Sequence, residues 1–256
     1  MKYRTQLVVL ALFSVLAMSF LVRAQDEGKA KKIKVSAFAP IKDVESQLEY
    51  FLGKIKKDLS DKDDFGEDQQ KRIGLDGSTV AVLALTLGLH DEDSELKPAA
   101  AKLVEFANEL VDNADSFDDA NAAHGELVKA VETKPKGEEL SWDEPVADLA
   151  MLMQQVPILN DVLRKGVNDK RRFKRNIEKN AARAATLAAI ANASMMDTAY
   201  CSDEEDEAAW QKICADMRDG CAEVYQALLA KDQDGAKAGN AKVVESCDAC
   251  HHKFRD

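Results

Sequence analysis

Almost every stretch of this chain between short polar breaks reads as helix, and that leaves few folds open to it. Aromatic residues make up 6% of the sequence, and only 5 prolines interrupt 256 residues. The two-residue alternation of a strand is nearly absent, whereas apolar residues recur at helical spacing among Ala, Leu, Lys and Glu. Four helices are predicted in the first half, over residues 41–59, 67–89, 96–113 and 117–131. The break Ser60-Asp61-Lys62-Asp63-Asp64 separates the first two, and His90-Asp91-Glu92-Asp93-Ser94 the next two. Thr133-Lys134-Pro135-Lys136-Gly137 then ends the half, with Pro and Gly as breakers. Helices over 145–167, 172–193, 204–230 and 232–253 are predicted in the second half. Asp203 stands where it can cap the third of these, and Asp232 or Asp234 the fourth.

The two halves therefore share one plan, an internal repeat. Phe65 and Phe173 each follow an amphipathic helix and a charged break. Asp115-Ser116-Phe117-Asp118-Asp119-Ala120 matches Lys231-Asp232-Gln233-Asp234-Gly235-Ala236 in layout, 116 residues apart. Four antiparallel helices with short connections make an up-and-down bundle, and about 100 residues can bury its core. The expectation is an all-α fold of two tandem up-and-down four-helix bundles, over residues 25–138 and 139–256. Residues 134–142 form the linker, with Trp142 packed between the bundles.

Residues 1–24 read as an export leader. Lys2 and Arg4 form a basic start, residues 7–22 an apolar run, and Ala24 a small residue at the cut. The run is short for a span, which takes about 20 residues, and no later segment is apolar enough to cross a bilayer. The expected location is the periplasm or another exported compartment, with no stable membrane insertion after cleavage. Without the leader, 32 basic residues face 46 acidic ones, a net charge of −14. Such acidity argues against nucleic acid or anionic lipid as a partner and favours a basic one.

One motif carries chemistry. Cys247-Asp248-Ala249-Cys250-His251 is a C-x-x-C-H near the C-terminus. Two thiols on one helical turn can each add across a vinyl group of haem, and the following histidine then stands beside the iron as its axial ligand. Cys247 and Cys250 are thus the candidate thioether donors and His251 the candidate iron ligand, holding one covalent haem. A zinc site would need two further ligands, and a redox disulfide is the other alternative. Carrying the repeat offset forward puts Val131, Lys134 and Pro135 where Cys247, Cys250 and His251 stand, so the first copy lacks the motif. Of the other cysteines, Cys214 and Cys221 lie too far apart on one helix to bridge. Cys201 could pair with either, or all three could pack as small hydrophobes.

A C-x-x-C-H at the end of a four-helix domain, followed by His252-Lys253-Phe254-Arg255, resembles the cytochrome c-prime family and its low-spin relatives. The resemblance covers roughly residues 143–256; the first half resembles the fold only. It implies that Arg255 lies close to the haem, where it either meets a propionate or stays solvated. It also implies that the sixth iron position faces the first helix of the second half. Low-spin members present a methionine there, and cytochromes c-prime present an apolar residue and leave the iron five-coordinate.

Here that helix reads Asp148-Leu149-Ala150-Met151-Leu152-Met153-Gln154-Gln155-Val156-Pro157. Val146, Leu149, Met153 and Val156 form one apolar stripe. Met153 lies on it, and Met151 is about 200° away around the axis. Three readings stay open: Met153 as the ligand, Met151 as the ligand, or no sixth protein ligand. Pro157 removes the amide that would bond the Met153 carbonyl. His252 is expected to face solvent, as are His90 and His124 in their polar contexts.

The leading expectation is an exported electron-transfer haem protein with a basic redox partner. The alternatives are a five-coordinate haem that binds nitric oxide or carbon monoxide, and an interaction role for the haem-free half. Homodimerisation stays open. No enzyme is read from the sequence: it offers no nucleophile–base arrangement, no Gly-rich phosphate loop and no paired-carboxylate site distinct from acidic surface.

Overall fold

Aspartate side chains cap four of the five helices of the second half and set where they begin. In a computed structural model, which describes residues 34–255, nine α-helices and three short 3-10 turns account for all regular structure among the described residues. The fold is all-α. The expected export leader, residues 1–24, lies outside the described residues.

The first half forms α1 (Ile41–Asp58), α2 (Glu67–Gly88), α3 (Ala100–Asp112) and α4 (Phe117–Thr133). The second forms α5 (Leu149–Asn168), a single short turn α6 (Lys170–Arg175), α7 (Ile177–Ala193), α8 (Glu204–Leu229) and α9 (Gln233–Phe254). Asp148 Oδ1 accepts from the backbone of Ala150 at 2.6 Å and Met151 at 3.1 Å, so α5 starts at Leu149 and not at 145 as expected. The helix expected over 172–193 is broken at Asn176, whose backbone leaves the helical region (φ −123°, ψ 25°), ends α6 and opens α7. The helix expected from residue 96 opens instead as a 3-10 turn, Lys97–Ala99, around Pro98. Asp203 caps α8 through the Asp206 amide, and Asp232, not Asp234, caps α9.

Ser116 caps α4 as Asp232 caps α9, and α4 and α9 begin at the corresponding positions Phe117 and Gln233. The two helices then differ in length. Lys134 turns left-handed (φ 51°) and closes α4, whereas α9 runs on to Phe254. At the 116-residue offset Cys247 corresponds to Val131, still inside α4, whereas Cys250 and His251 correspond to Lys134 and Pro135, beyond its end.

Within the first half α1 packs on α2, α2 on α3, α3 on α4, and α4 returns to α1. Within the second, α5 packs on α7, α7 on α8, α8 on α9, and α9 returns to α5. The core continues between them: α1 meets α7, and α2 meets both α5 and α7. Every residue of α2 from Ile73 to Leu87 is buried, the signature of a helix apolar on all sides and covered on all sides. The alanines of α7 allow equally close neighbours. Directed bonds cross the same boundary. Thr186 donates to Gln47 Oε1 at 3.3 Å, and the Tyr225 hydroxyl donates to Asp43 Oδ2 at 2.7 Å. Trp142 packs half-buried on the edge of this shared core.

Candidate functional site

α9 carries the motif against α8, and the two helices approach closely. A Cβ on Gly239 would stand 2.9 Å from the Val224 backbone nitrogen, which leaves room there for glycine alone. Lower down, Lys253 Nζ pairs with Asp206 Oδ1 at 2.9 Å, and the Phe254 ring meets Trp210 edge-on at 5.3 Å between centroids. Trp210 Nε1 donates to the Ser194 carbonyl at 2.8 Å and so ties α8 to the turn after α7. These contacts fix the last turns of α9.

A cavity of about 610 Å³ opens between α5, α8, α9 and the end of α7. Cys247, Cys250 and His251, at i, i+3 and i+4, all line it. Arg255 stands on its rim, exposed. His252 is exposed and is not part of the wall, as the helix geometry predicts. The facing wall is α5, through Leu149, Met153, Val156, Pro157 and Asn160. Met153 therefore lines the same cavity as the motif. Met151 does not: it points to α2, where a Cβ on Gly74 would lie 3.7 Å from its sulfur.

The α8 wall of the cavity escaped the sequence reading. Trp210, Cys214 and Met217 of α8 reach the cavity, and Met217, 8% exposed, is a second thioether on its wall. A signal for them exists, since 210, 214, 217, 221, 224 and 228 form one buried stripe. The spacing of Cys214 and Cys221 alone does not extend that stripe to its neighbours.

The thiols are uniformly unfavourable as thiolates. Burial pushes Cys247 up, with further upward pressure from Cys250 and Asp248. Burial and the neighbouring Cys201 raise Cys250. Cys214 is pushed up to about 12 by burial and by Cys250 and Cys201. Cys221 is raised by burial and by Cys247. A disulfide oxidoreductase needs the opposite shift. All five cysteines are free. Sequence separation sets Cys201, Cys214 and Cys221 apart from the motif, but antiparallel packing of α8 on α9 brings them beside it. Even so, among the described residues no three His, Cys, Asp or Glu side chains gather around one metal position. The candidate donors on this cavity are the His251 imidazole and the thioethers of Met153 and Met217. With no third protein ligand gathered for a bare ion among the described residues, the set would suit a haem held by Cys247, Cys250 and His251.

His90 and His124 are corrected. Neither faces solvent: His90 is 2% exposed and His124 8%. His90 Nε2 donates to the Ala39 carbonyl at 2.9 Å while its Nδ1 accepts from the Glu92 amide at 2.9 Å. His124 Nε2 donates to the Leu52 carbonyl at 3.3 Å, and burial lowers its pKa. Both satisfy backbone carbonyls inside the first half, a role that the polar residues beside them in sequence did not disclose.

Compared with known proteins, the chain matches no family model, no curated protein and no solved structure.

Proposed function

We propose that this protein is an exported c-type cytochrome that holds one covalent haem and transfers electrons. In this reading the chain is a tandem of two four-helix bundles, residues 25–138 without haem and residues 139–256 similar to a cytochrome c-prime. The observation that carries it is the convergence of Cys247, Cys250, His251 and Met153 on one cavity of about 610 Å³. Covalently held haem supplies a one-electron ferric–ferrous couple. The chain's residues do the rest. Cys247 and Cys250 would hold the haem through thioethers, and His251 would ligate its iron through a ring nitrogen. Met153 would supply the sixth ligand, and a His/Met pair would raise the potential relative to a single histidine. Leu149, Val156 and Trp210 keep water from the buried faces. Arg255, exposed at the cavity, would be the candidate partner for a ring carboxylate. The acidic surface favours a basic redox partner.

A second reading has a specific observation behind it. Leu149 and Val156 flank Met153 on the same wall, so a small displacement of the thioether leaves an open apolar face fit for nitric oxide or carbon monoxide.

The deciding experiment is expression with a haem-attachment system, followed by acid–acetone extraction and optical spectra with and without carbon monoxide. The expected result is colour that stays with the polypeptide, an added mass of one haem and a low-spin reduced spectrum. Colourless protein, or pigment lost to the solvent, overturns the reading. Retained pigment with rapid carbon monoxide binding selects the second reading.

A further inference from the structure

The helix that carries Met153 has a second face, and residues of the haem-free half grip it. Met153 and Gln155 are two positions apart, about 200° around the axis. Met153 lines the cavity, whereas Gln155 is 1% exposed and turned to α2. Gln155 Nε2 donates to Asp76 Oδ1 at 3.0 Å. The same oxygen accepts from Lys54 Nζ of α1 at 2.7 Å. Asp76 is 1% exposed, and its second oxygen is buried without a partner. One turn before Gln155, Met151 rests against Gly74. Residues 151 and 155 thus form the inner face of α5, held by α2 from behind.

This network sits in a helix buried along its whole length from Ile73 to Leu87, where a carboxylate is costly and burial pushes its pKa up. An apolar trio of similar volume would pack at least as stably. What the polar trio adds is direction. Apolar contacts alone let a helix rotate or slide at little cost, because they have no preferred angle. A buried hydrogen bond does not. Rotating a helix by about 20° carries a side-chain tip roughly 2 Å, further than a metal site tolerates in its ligands.

We propose that Lys54, Asp76 and Gln155 are positioning residues for the sixth iron ligand, and that the haem-free half serves as the back wall that aims Met153. This rests on the haem reading above and on Met153 as the ligand.

The test uses the full-length, haem-loaded protein and the variant Gln155→Leu. Loss of a buried directional bond is expected to weaken the iron–thioether band of the ferric spectrum and to speed carbon monoxide binding to the ferrous form at least about tenfold. Helix content and haem retention stay as in the parent. A folded, haem-loaded Gln155→Leu with the parent spectrum and a carbon monoxide rate within about twofold overturns the positioning role. A parent protein that is itself five-coordinate overturns both this proposal and Met153 ligation, and it does so in a different sample, so the two failures are distinct.

Gln155→Glu decides the matter if the leucine variant does not fold. The charged groups coupled to this network are Lys54, Asp58 and Arg72. In the Gln155→Glu variant a protonated carboxyl at this position donates to Asp76 as the amide does, and an ionised one is repelled by it. The carbon monoxide rate of Gln155→Glu is therefore expected to rise with pH while that of the parent stays flat. A profile as flat as the parent's sinks the proposal.

Discussion

Under the proposed haem reading the cavity wall holds two candidate thioether ligands, and one substitution at a time separates them. Met153 lies on α5 and Met217 on α8, and both line the cavity that His251 lines. Met153→Ala is expected to lower the reduction potential and convert the iron to a form that binds carbon monoxide rapidly; Met217→Ala leaves both nearly unchanged. Potentiometry and flash photolysis check the pair, and the reverse pattern moves the ligand to α8. Much of this was legible in the residues. The α5 stripe separates Met153 from Met151 because a helix turns about 100° per residue. Met217 was missed because its partners on the wall come from α9 and α5, which sequence spacing does not bring together. His90 and His124 were misread for a related reason: their neighbours in sequence are polar, but their neighbours in space are the carbonyls of Ala39 and Leu52. His124 makes the difference measurable. Its folded pKa is lowered, chiefly by burial, so below the ordinary value the unfolded chain binds the proton more readily than the folded one, and stability falls as pH drops. Urea denaturation between about pH 7 and pH 5 should show a steeper loss for the parent than for His124→Gln. Equal slopes would remove His124 from the account.

At the scale of elements, the approach of α9 to α8 decides where the motif stands. Gly239→Ala places a methyl 2.9 Å from the Val224 backbone nitrogen and 3.2 Å from the Gly220 carbonyl. Backbone cannot yield as a flexible side chain does, so α9 must shift. A loss of about 2 kcal/mol in urea denaturation is expected, together with reduced haem incorporation per mole of chain. An unchanged midpoint would show that the helices part without cost. Helix ends were legible wherever a cap decided them, as Asp203 shows for α8. They were less so where two signals competed. Pro145 reads as a helix opener, but Asp148 satisfies the first amides and wins. Asn176 interrupts a stretch rich in helix formers because its backbone accepts the first bond of α7 while closing the last of α6.

Periodicity counts helices well and says little about which of them share a core. The repeat predicts halves that each bury their own apolar faces, yet α2 is buried all round and takes α5 and α7 as neighbours as well as α1 and α3. The clue in the sequence was the run from Ile73 to Leu87, with no charged face beyond Asp76. A helix like that needs more covering than one four-helix bundle gives it. The consequence concerns cooperativity. If the apolar surface between α1, α2, α5 and α7 is dry and continuous, neither half can melt without exposing the other. Scanning calorimetry of the full chain is then expected to give one transition, with calorimetric and van't Hoff enthalpies in agreement. The fragment spanning residues 139–256, stripped of α2, should melt lower than the full chain and bind a hydrophobic dye before it melts. Two resolved transitions, the higher matching that fragment, would mean that the halves fold as independent bundles. The back wall behind Met153 would then be a loose neighbour and no scaffold.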